Sequence, residues 1–229
     1  MQETDSKILS HFELVRFKDP YYGLAYSDRQ AFHSDLYTQL RASATAVNLY
    51  QVYPTEACTD LLIWSSLRVD QPEAAARYFG SHAKAISPHR HLLEPQHSFW
   101  GFSRPSQYTK VPSAQEIDPF TGERKRYLIL YPFVKTPEWY LLSQEARQGM
   151  MNGHIKTCKQ YPQIQQLLLY SFGLQDQEFV VVYEADDLSE FSDLVYALRN
   201  TDARRYTLRD TPVFTAVYLS AQAVLQLWE

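Results

Sequence analysis

The strongest constraint on the fold is that the chain passes twice through the same order of strands and helices. The two passes cover 11–104 and 126–219, and each runs strand, helix, strand, strand, helix, strand. In the first pass the predicted strands are rich in β-branched and aromatic residues, and Phe32, Leu36 and Leu40 recur at four-residue helical spacing. The other segments of this pass are HFELVRFK (11–18), AVNLYQVY (46–53), DLLIWSSLR (60–68), PEAAARYFGSHAK (72–84) and SFWGFSR (98–104).

The second pass repeats this order with two helices that start at serine residues. Ser143 is the predicted N-cap of the first helix and Ser189 that of the second. The second helix carries Phe191, Leu194, Val195 and Leu198, and the predicted strands are RYLILYPF (126–133), IQQLLLYSF (164–172), EFVVVYEA (178–185) and PVFTAVYLS (212–220). The order predicts an α+β fold of two fused ferredoxin-like units, at 1–104 and 126–229, with a linker at 105–125 that packs across the surface.

Composition narrows the range of partners. The 22 basic and 26 acidic residues give a net charge of −4, and the short basic runs form no stripe that could follow a nucleic acid backbone. No run of 18 apolar residues is present, the first residues are polar and acidic, and Cys58 and Cys158 suggest no disulfide framework. We therefore expect a cytoplasmic protein without nucleic acid or membrane partners.

Histidine offers the first chemical candidates. His89, His91 and His97 lie in a proline-flanked segment without a metal-ligand pattern, which predicts a solvated loop. His154 is different, because Ala146, Met150, His154 and Cys158 follow at four-residue steps and place the imidazole on an apolar helix face. From position alone, a core histidine is the favoured interpretation of His154.

Other common catalytic patterns are missing from the sequence. The carboxylates Asp176 and Glu178, and those at 184–187, lie in or beside a predicted turn, where charge is usually solvated or caps a helix. The chain contains no GxSxG, GxxxxGKS or GxGxxG segment. Hydrolase, kinase and dinucleotide-binding functions are thereby disfavoured.

Three segments resemble the chlorite dismutase family, which includes the coproheme decarboxylases. They are YPFVKTPEWYLLSQEARQGMMNGH (131–154), YSFGLQDQEFVVVYEADD (170–187) and LVYALR (194–199). In the first unit only the element order and SFWGFSRPSQYTK are similar. The resemblance implies a dimeric α+β barrel-like subunit that binds heme b or iron-coproporphyrin III between the second sheet and its helices, and a homo-oligomer, commonly a pentamer.

The resemblance also implies roles for single residues. His154 matches the histidine that coordinates the iron, Lys135 the lysine beside it, and Trp139 the pocket tryptophan, with Met150 as a further cofactor contact. A neutral ring nitrogen donates to iron, a neighbouring group sets its basicity, and an indole packs flat on a macrocycle. Without the resemblance, Lys135 would be interpreted as a surface charge and Trp139 as a core aromatic.

On the opposite, distal side the resemblance favours the decarboxylase branch. Gln166, seven residues before Gly173, stands where dismutases carry an arginine, and a slip of one residue would exchange it with Gln165. Tyr131 matches the tyrosine that relays a radical to a propionate, although an ordinary strand tyrosine is the alternative. Arg199 matches the arginine that pairs with a propionate, with a solvated cation at a helix C-terminus as the alternative.

These matches predict peroxide-dependent oxidative decarboxylation of coproheme to heme b. The alternatives are a heme-binding protein with weak peroxidase-like or carrier function, a chlorite dismutase with an atypical distal glutamine whose co-substrate is a small oxyanion, and an interaction protein without cofactor. The segment between YPFVK and Trp139 is about four residues shorter than in typical Gram-positive decarboxylases, and TPEWYLL (136–142) is closer to the dismutase branch.

Overall fold

The computed structural model describes residues 7–109 and 113–229. Its contacts divide the chain into two compact units. The first takes the described residues up to Ser103 together with Pro119–Gly122 and Ala216–Glu229, and the second takes Arg104–Asp118 and Glu123–Thr215. The boundaries predicted at 104 and 126 differ from this division, and whether they delimit folding domains stays a prediction.

The first unit contains a four-stranded antiparallel sheet. Strand β1 lies between β3 and β4, and β2 pairs with the other edge of β3. Phe32, Leu36 and Leu40 are buried against this sheet, as their spacing predicts, and the last helix adds Val224 and Leu225 to the same core. The elements are β1 (Lys7–Phe17), α1 (Asp19–Tyr22), α2 (Tyr26–Ser43), β2 (Ala46–Gln51), β3 (Leu61–Val69), α3 (Ala74–Ile86), β4 (Leu93–Ser103) and, at the chain's end, α7 (Ala221–Gln226).

The segment predicted as a solvated histidine loop is more ordered than expected. His89 is buried, lies edge-on to the Phe32 ring at 4.9 Å, and places Nε2 3.1 Å from an Asp35 carboxylate oxygen. His97 lies on β4, and only His91 is exposed in a turn. The loop prediction was wrong because these contacts lie far apart in sequence.

The second unit repeats the arrangement: β7 lies antiparallel between β5 and β6, and β5 has β9 and β8 as further neighbours. Ser143 caps α5 by accepting a hydrogen bond from the Ala146 amide, as predicted. For α6 the predicted cap was wrong: Asp187 precedes the helix in an extended conformation and accepts from the amides of Ser189 and Glu190. The elements are β5 (Tyr127–Lys135), α4 (Pro137–Leu141), α5 (Gln144–Cys158), β6 (Gln165–Tyr170), β7 (Phe179–Ala185), α6 (Leu188–Arg199), β8 (Thr207–Arg209) and the start of β9 (Phe214–Tyr218), whose residues from Ala216 onwards belong to the first unit. The duplicated ferredoxin-like class is confirmed.

Part of the predicted linker is tightly bound to the second unit. The Gln115 side-chain amide donates to the carbonyls of Cys158, Tyr161 and Ile164, which follow one another at the end of α5 and before β6. The backbone of 115–117 pairs beside β6 in a parallel bridge, because Gln166 N–H donates to the Gln115 carbonyl at 2.7 Å and Ile117 N–H donates to the Gln166 carbonyl at 3.0 Å. Within the described residues, no helix has the length and apolar character needed to cross a membrane.

Two neighbouring basic residues form ion pairs that should contribute differently to the stability of the second unit. Arg124 Nη1 lies 3.3 Å from Glu184, and both side chains are only 1% exposed, whereas Lys125 pairs with Asp186 near the surface. We expect Arg124→Ala to lower the free energy of unfolding by about 3–5 kcal/mol, because it leaves a buried carboxylate without its countercharge. Lys125→Ala should cost less than about 1 kcal/mol. Urea unfolding measures both, and equal losses would contradict this account.

Candidate functional site

One face of the second sheet is open to a cavity of about 1210 Å³. Because side chains alternate along a strand, every second residue lines it. The antiparallel register brings Tyr131 opposite Val181 and Gln166 opposite Tyr183. The lining residues from the strands are Tyr131, Phe133 and Lys135 on β5, Gln166, Leu168 and Tyr170 on β6, and Phe179, Val181 and Tyr183 on β7.

Helix α5 contributes a stripe at three- and four-residue spacing to the same cavity. It consists of Arg147, Met151, His154, Ile155 and Cys158. The stripe is centred on the row Arg147, Met151 and Ile155, and Met150 lies about 100° around the helix from Met151. Met150 is consequently not among the described residues that line the cavity, and its neighbour Met151 takes that position.

His154 is held neutral by its surroundings. Burial, and then the nearby positive charge of Lys135, lower the pKa of the imidazole to about 4. A neutral imidazole has a free nitrogen lone pair, which is the form that ligates metals. His154 is therefore prepared for coordination at neutral pH, and it lines the cavity.

Lys135 and Trp139 form one wall next to this histidine. The Lys135 ammonium lies 4.6 Å from the centre of the Trp139 ring, and it donates to the Ala203 carbonyl at 3.3 Å. Burial, and then Arg204, lower the pKa of Lys135 to about 8. Trp139 is 4% exposed and packs against Tyr206 at 5.7 Å. Both residues line the cavity, so Lys135 is not the surface charge that its position alone suggests.

Tyr131 is paired with a second tyrosine. Its ring stacks on that of Tyr183 with the centres 6.1 Å apart. Burial raises the pKa of Tyr131 to about 12. The phenol of Tyr131 therefore keeps its proton at neutral pH inside the cavity.

The two neighbouring glutamines of β6 have different positions. Gln166 lines the cavity, whereas Gln165 is not found among its described lining residues, as strand alternation requires. The backbone N–H of Gln166 donates to Gln115, and the Gln166 carbonyl accepts from Ile117. The amide at this wall carries no charge.

Arg199 shares one carboxylate with another arginine. Arg199 donates to Asp210 at 2.6 Å and Arg204 donates to the same oxygen at 2.8 Å. All three line the cavity, so Arg199 is an ion-paired cavity residue as well as the last residue of α6. Two guanidinium groups against one carboxylate leave positive charge for an anionic ligand.

The sequence did not single out a second group of cavity residues. Arg104 lies over the Tyr170 ring at 5.3 Å, and Arg147 and Tyr108 also line the cavity. Tyr140 donates to Glu178, which also accepts from the Lys135 amide at 2.8 Å. Tyr108 and Arg104 lie within or beside the family-like run SFWGFSRPSQYTK (98–110), and that run was the one available indication.

The residues present fit an iron porphyrin. The cavity is larger than the roughly 300–1,000 Å³ typical of small-ligand pockets. It combines a neutral imidazole, flat aromatic walls and several cations, which suit an iron, a macrocycle and carboxylate side chains respectively.

Comparison with known proteins supports this class. A family model described as chlorite dismutase matches residues 26–219. A coproheme decarboxylase of Mycolicibacterium smegmatis is 31% identical over 77% of this chain and 74% of its own length. A chlorite dismutase of Ideonella dechloratans is 28% identical over 39% of this chain and 32% of its own.

The fold is also shared with solved structures. A mutant chlorite dismutase of Candidatus Nitrospira defluvii superposes with a TM-score of 0.82 at 20% identity, covering 98% of this chain and 97% of the other. Fold and cavity thus define a duplicated ferredoxin-like protein of the heme-binding class. The chain belongs to the chlorite dismutase family.

The pKa of His154 should respond to Lys135. In porphyrin-free protein we expect Lys135→Met to raise it from about 4, while burial keeps it below 6.5. Because the folded pKa is depressed, the contribution of His154 to stability is complete above pH 6.5 and is lost as the pH falls towards 4. Histidine NMR titration measures the shift. The exposed Lys156 on the same helix provides the control Lys156→Met, and an equal shift there would contradict a specific effect of Lys135.

Proposed function

We propose that this protein catalyses the peroxide-dependent oxidative decarboxylation of coproheme to heme b. The observation that carries the proposal is the meeting of Tyr131, Gln166 and His154 in one cavity. The 31% identity to a protein named coproheme decarboxylase supports the same reaction.

His154 is the proposed iron ligand. Lys135 and Trp139 pack beside it, and Met151 is a better candidate than Met150 to contact the macrocycle, because it lines the cavity. The bound iron porphyrin supplies the one-electron oxidation chemistry with peroxide.

Tyr131 supplies the group that acts on the substrate side chain. A phenol can give up a proton and an electron together and then take a hydrogen atom from a propionate. Each propionic acid group and one hydrogen peroxide are converted into a vinyl group, CO2 and two waters, so the carbon chain is oxidised and the peroxide is reduced. Burial keeps Tyr131 protonated, which is the form this role requires.

The excess of basic residues that line the cavity favours binding of a porphyrin with several carboxylates. The basic lining residues are Arg104, Lys135, Arg147, Lys159, Arg199 and Arg204, against the acidic Glu116 and Asp210. Coproheme carries four carboxylates and heme b carries two. The excess of cations therefore favours the ligand with more carboxylates.

Gln166 argues against chlorite dismutation. Chlorite dismutation would require cavity residues to hold an anionic oxychlorine species in place by a fixed positive charge. A neutral amide cannot supply the fixed positive charge that would hold this anion. A role restricted to heme binding or transfer would need Tyr131 only for packing, and Tyr131→Phe would then have no effect on it.

The wider setting of the proposal is heme biosynthesis in the cytoplasm by a homo-oligomer, a pentamer by family resemblance. Hydrogen peroxide is the proposed co-substrate. Both cysteines are free, which agrees with a reducing compartment.

Replacing the proposed ligand should change the porphyrin spectrum. We expect His154→Ala to weaken binding of heme and coproheme and to shift the Soret band, because the proposed ligating nitrogen is removed. Separate titrations with the two porphyrins measure this. A variant with the wild-type Soret position and affinity would refute the assignment of His154 as the iron ligand.

The reaction itself can be tested by product mass. Wild-type protein is loaded with iron coproporphyrin III and given two equivalents of peroxide per porphyrin. The bound porphyrin should then lose the mass of two formic acid molecules in succession, whereas the porphyrin in Tyr131→Phe should lose none. Tyr127→Phe, on the same strand but outside the described cavity lining, is the control and should behave as wild type. Absence of mass loss together with many cycles of chlorite conversion to O2 would favour the dismutase function instead.

A further inference from the structure

Glu178 binds two hydrogen-bond donors with a single carboxylate oxygen. It directly precedes β7, and its Oε2 accepts from the backbone N–H of Lys135 at 2.8 Å and from the hydroxyl of Tyr140. From the sequence, this carboxylate is expected to be solvated or to cap a helix. It instead joins three elements of the second unit, because Lys135 ends β5 and Tyr140 lies on α4.

The bond to the Lys135 amide is formed where the strand ladder stops. The pairing of β5 with β7 ends where Phe133 lies opposite Phe179, and the pairing of β5 with β8 shifts register between Val134 and Lys135. A backbone N–H that is withdrawn from water needs another acceptor once it leaves a ladder. The Glu178 carboxylate is that acceptor, and it fixes the end of β5 to the start of β7.

The bond to Tyr140 fixes a helix that is too short to be stable by itself. The five residues of α4 are fewer than the roughly 12–15 at which an isolated helix becomes marginally stable in water. The position of α4 therefore depends on contacts with other elements. Trp139 makes one such contact by packing on Tyr206, and Tyr140 makes another through Glu178.

Together the two bonds determine how Lys135 meets Trp139. The Lys135 ammonium lies 4.6 Å from the centre of the Trp139 ring, so this contact also joins the end of β5 to α4. Glu178 binds both sides of the same junction, through the backbone of Lys135 and through the residue that follows Trp139. A cation is attracted to an aromatic face only within about 6 Å of the ring centre. A shift of α4 against β5 would therefore break the contact.

We propose that Glu178 is the positioning residue of the cavity wall that Lys135 and Trp139 form, because it accepts from both the Lys135 amide and the Tyr140 hydroxyl. Glu178 is not among the described residues that line the cavity, so it acts through these neighbours. The inference rests on the proposed function for the use of this wall. It deepens that function, because it names the residue that holds α4 beside the proposed iron ligand His154.

A general loss of stability is the competing explanation for any effect of Glu178. Three variants separate the two explanations. Glu178→Ala removes the acceptor, Glu178→Gln retains one oxygen that can accept from both donors, and Tyr140→Phe removes only the hydroxyl that binds Glu178. The control Asp176→Ala removes an exposed carboxylate from the same segment.

The first measurement uses porphyrin-free protein labelled with 5-fluorotryptophan. The chain has four tryptophans, and Trp139→Phe identifies the fluorine NMR signal of Trp139. We expect Glu178→Ala and Tyr140→Phe to shift this signal and to leave the other three in place, because the ammonium moves away from the indole. Glu178→Gln and Asp176→Ala should keep the wild-type signal. An unchanged Trp139 signal in Glu178→Ala or Tyr140→Phe would overturn the proposal, and so would equal shifts of all four signals.

The second measurement is a titration with iron coproporphyrin III. Glu178→Ala should bind it about tenfold more weakly, because Lys135 and Trp139 are no longer held in place before binding. Glu178→Gln should restore the wild-type affinity. Unchanged binding by Glu178→Ala would refute the role of Glu178. Failure of Glu178→Gln to restore binding would show that the charge is responsible, and it would refute positioning through hydrogen bonds.

The two measurements also distinguish this inference from the proposed function. Wild-type protein that binds coproheme and shows no mass loss with peroxide refutes the proposed function. The porphyrin-free NMR signal of Trp139 does not depend on that reaction. It therefore decides separately whether Glu178 holds the wall.

Discussion

The candidate site depends on the register of the three antiparallel strands β5, β7 and β6. A shift of one residue would turn Tyr131, Gln166 or Tyr183 to the opposite face of the sheet. Contacts at the edges resist such a shift. The backbone of Gln166 is hydrogen-bonded by Gln115 and Ile117, Glu178 accepts from the Lys135 amide, and Glu184 forms a buried ion pair with Arg124.

Burial sets the protonation state of the cavity residues. The same removal from water lowers the pKa of His154 and Lys135 and raises that of Tyr131, because it disfavours the charged form of each group. An imidazole with a free lone pair and a phenol with its proton are the forms that iron coordination and hydrogen-atom transfer require. One physical effect thus prepares two different groups for the proposed chemistry.

Charge is distributed around the cavity in two places. Lys135, Arg199 and Arg204 accompany Asp210, while Arg104 and Arg147 lie with the tyrosines Tyr108 and Tyr170. Arginine offers a planar donor group that fits carboxylates, and aromatic neighbours support it by stacking. This distribution suits the proposed porphyrin, whose carboxylates project from its edge.

The sequence by itself determined the duplicated element order, the cap at Ser143 and the residues of the family motifs, because these depend on local periodicity and on residue type at fixed spacing. It could not decide between Gln165 and Gln166, because a one-residue slip changes the face but not the pattern. It placed Met150 where Met151 lies, because residue spacing alone does not decide which of two overlapping helix faces is centred on the cavity. The sequence analysis missed Tyr183, Arg204 and Asp210 as cavity residues. Their places in the cavity depend on neighbours that lie on other elements. Only the tertiary structure brings these residues together, since strand pairing joins positions that are far apart in the chain and burial then shifts their pKa values.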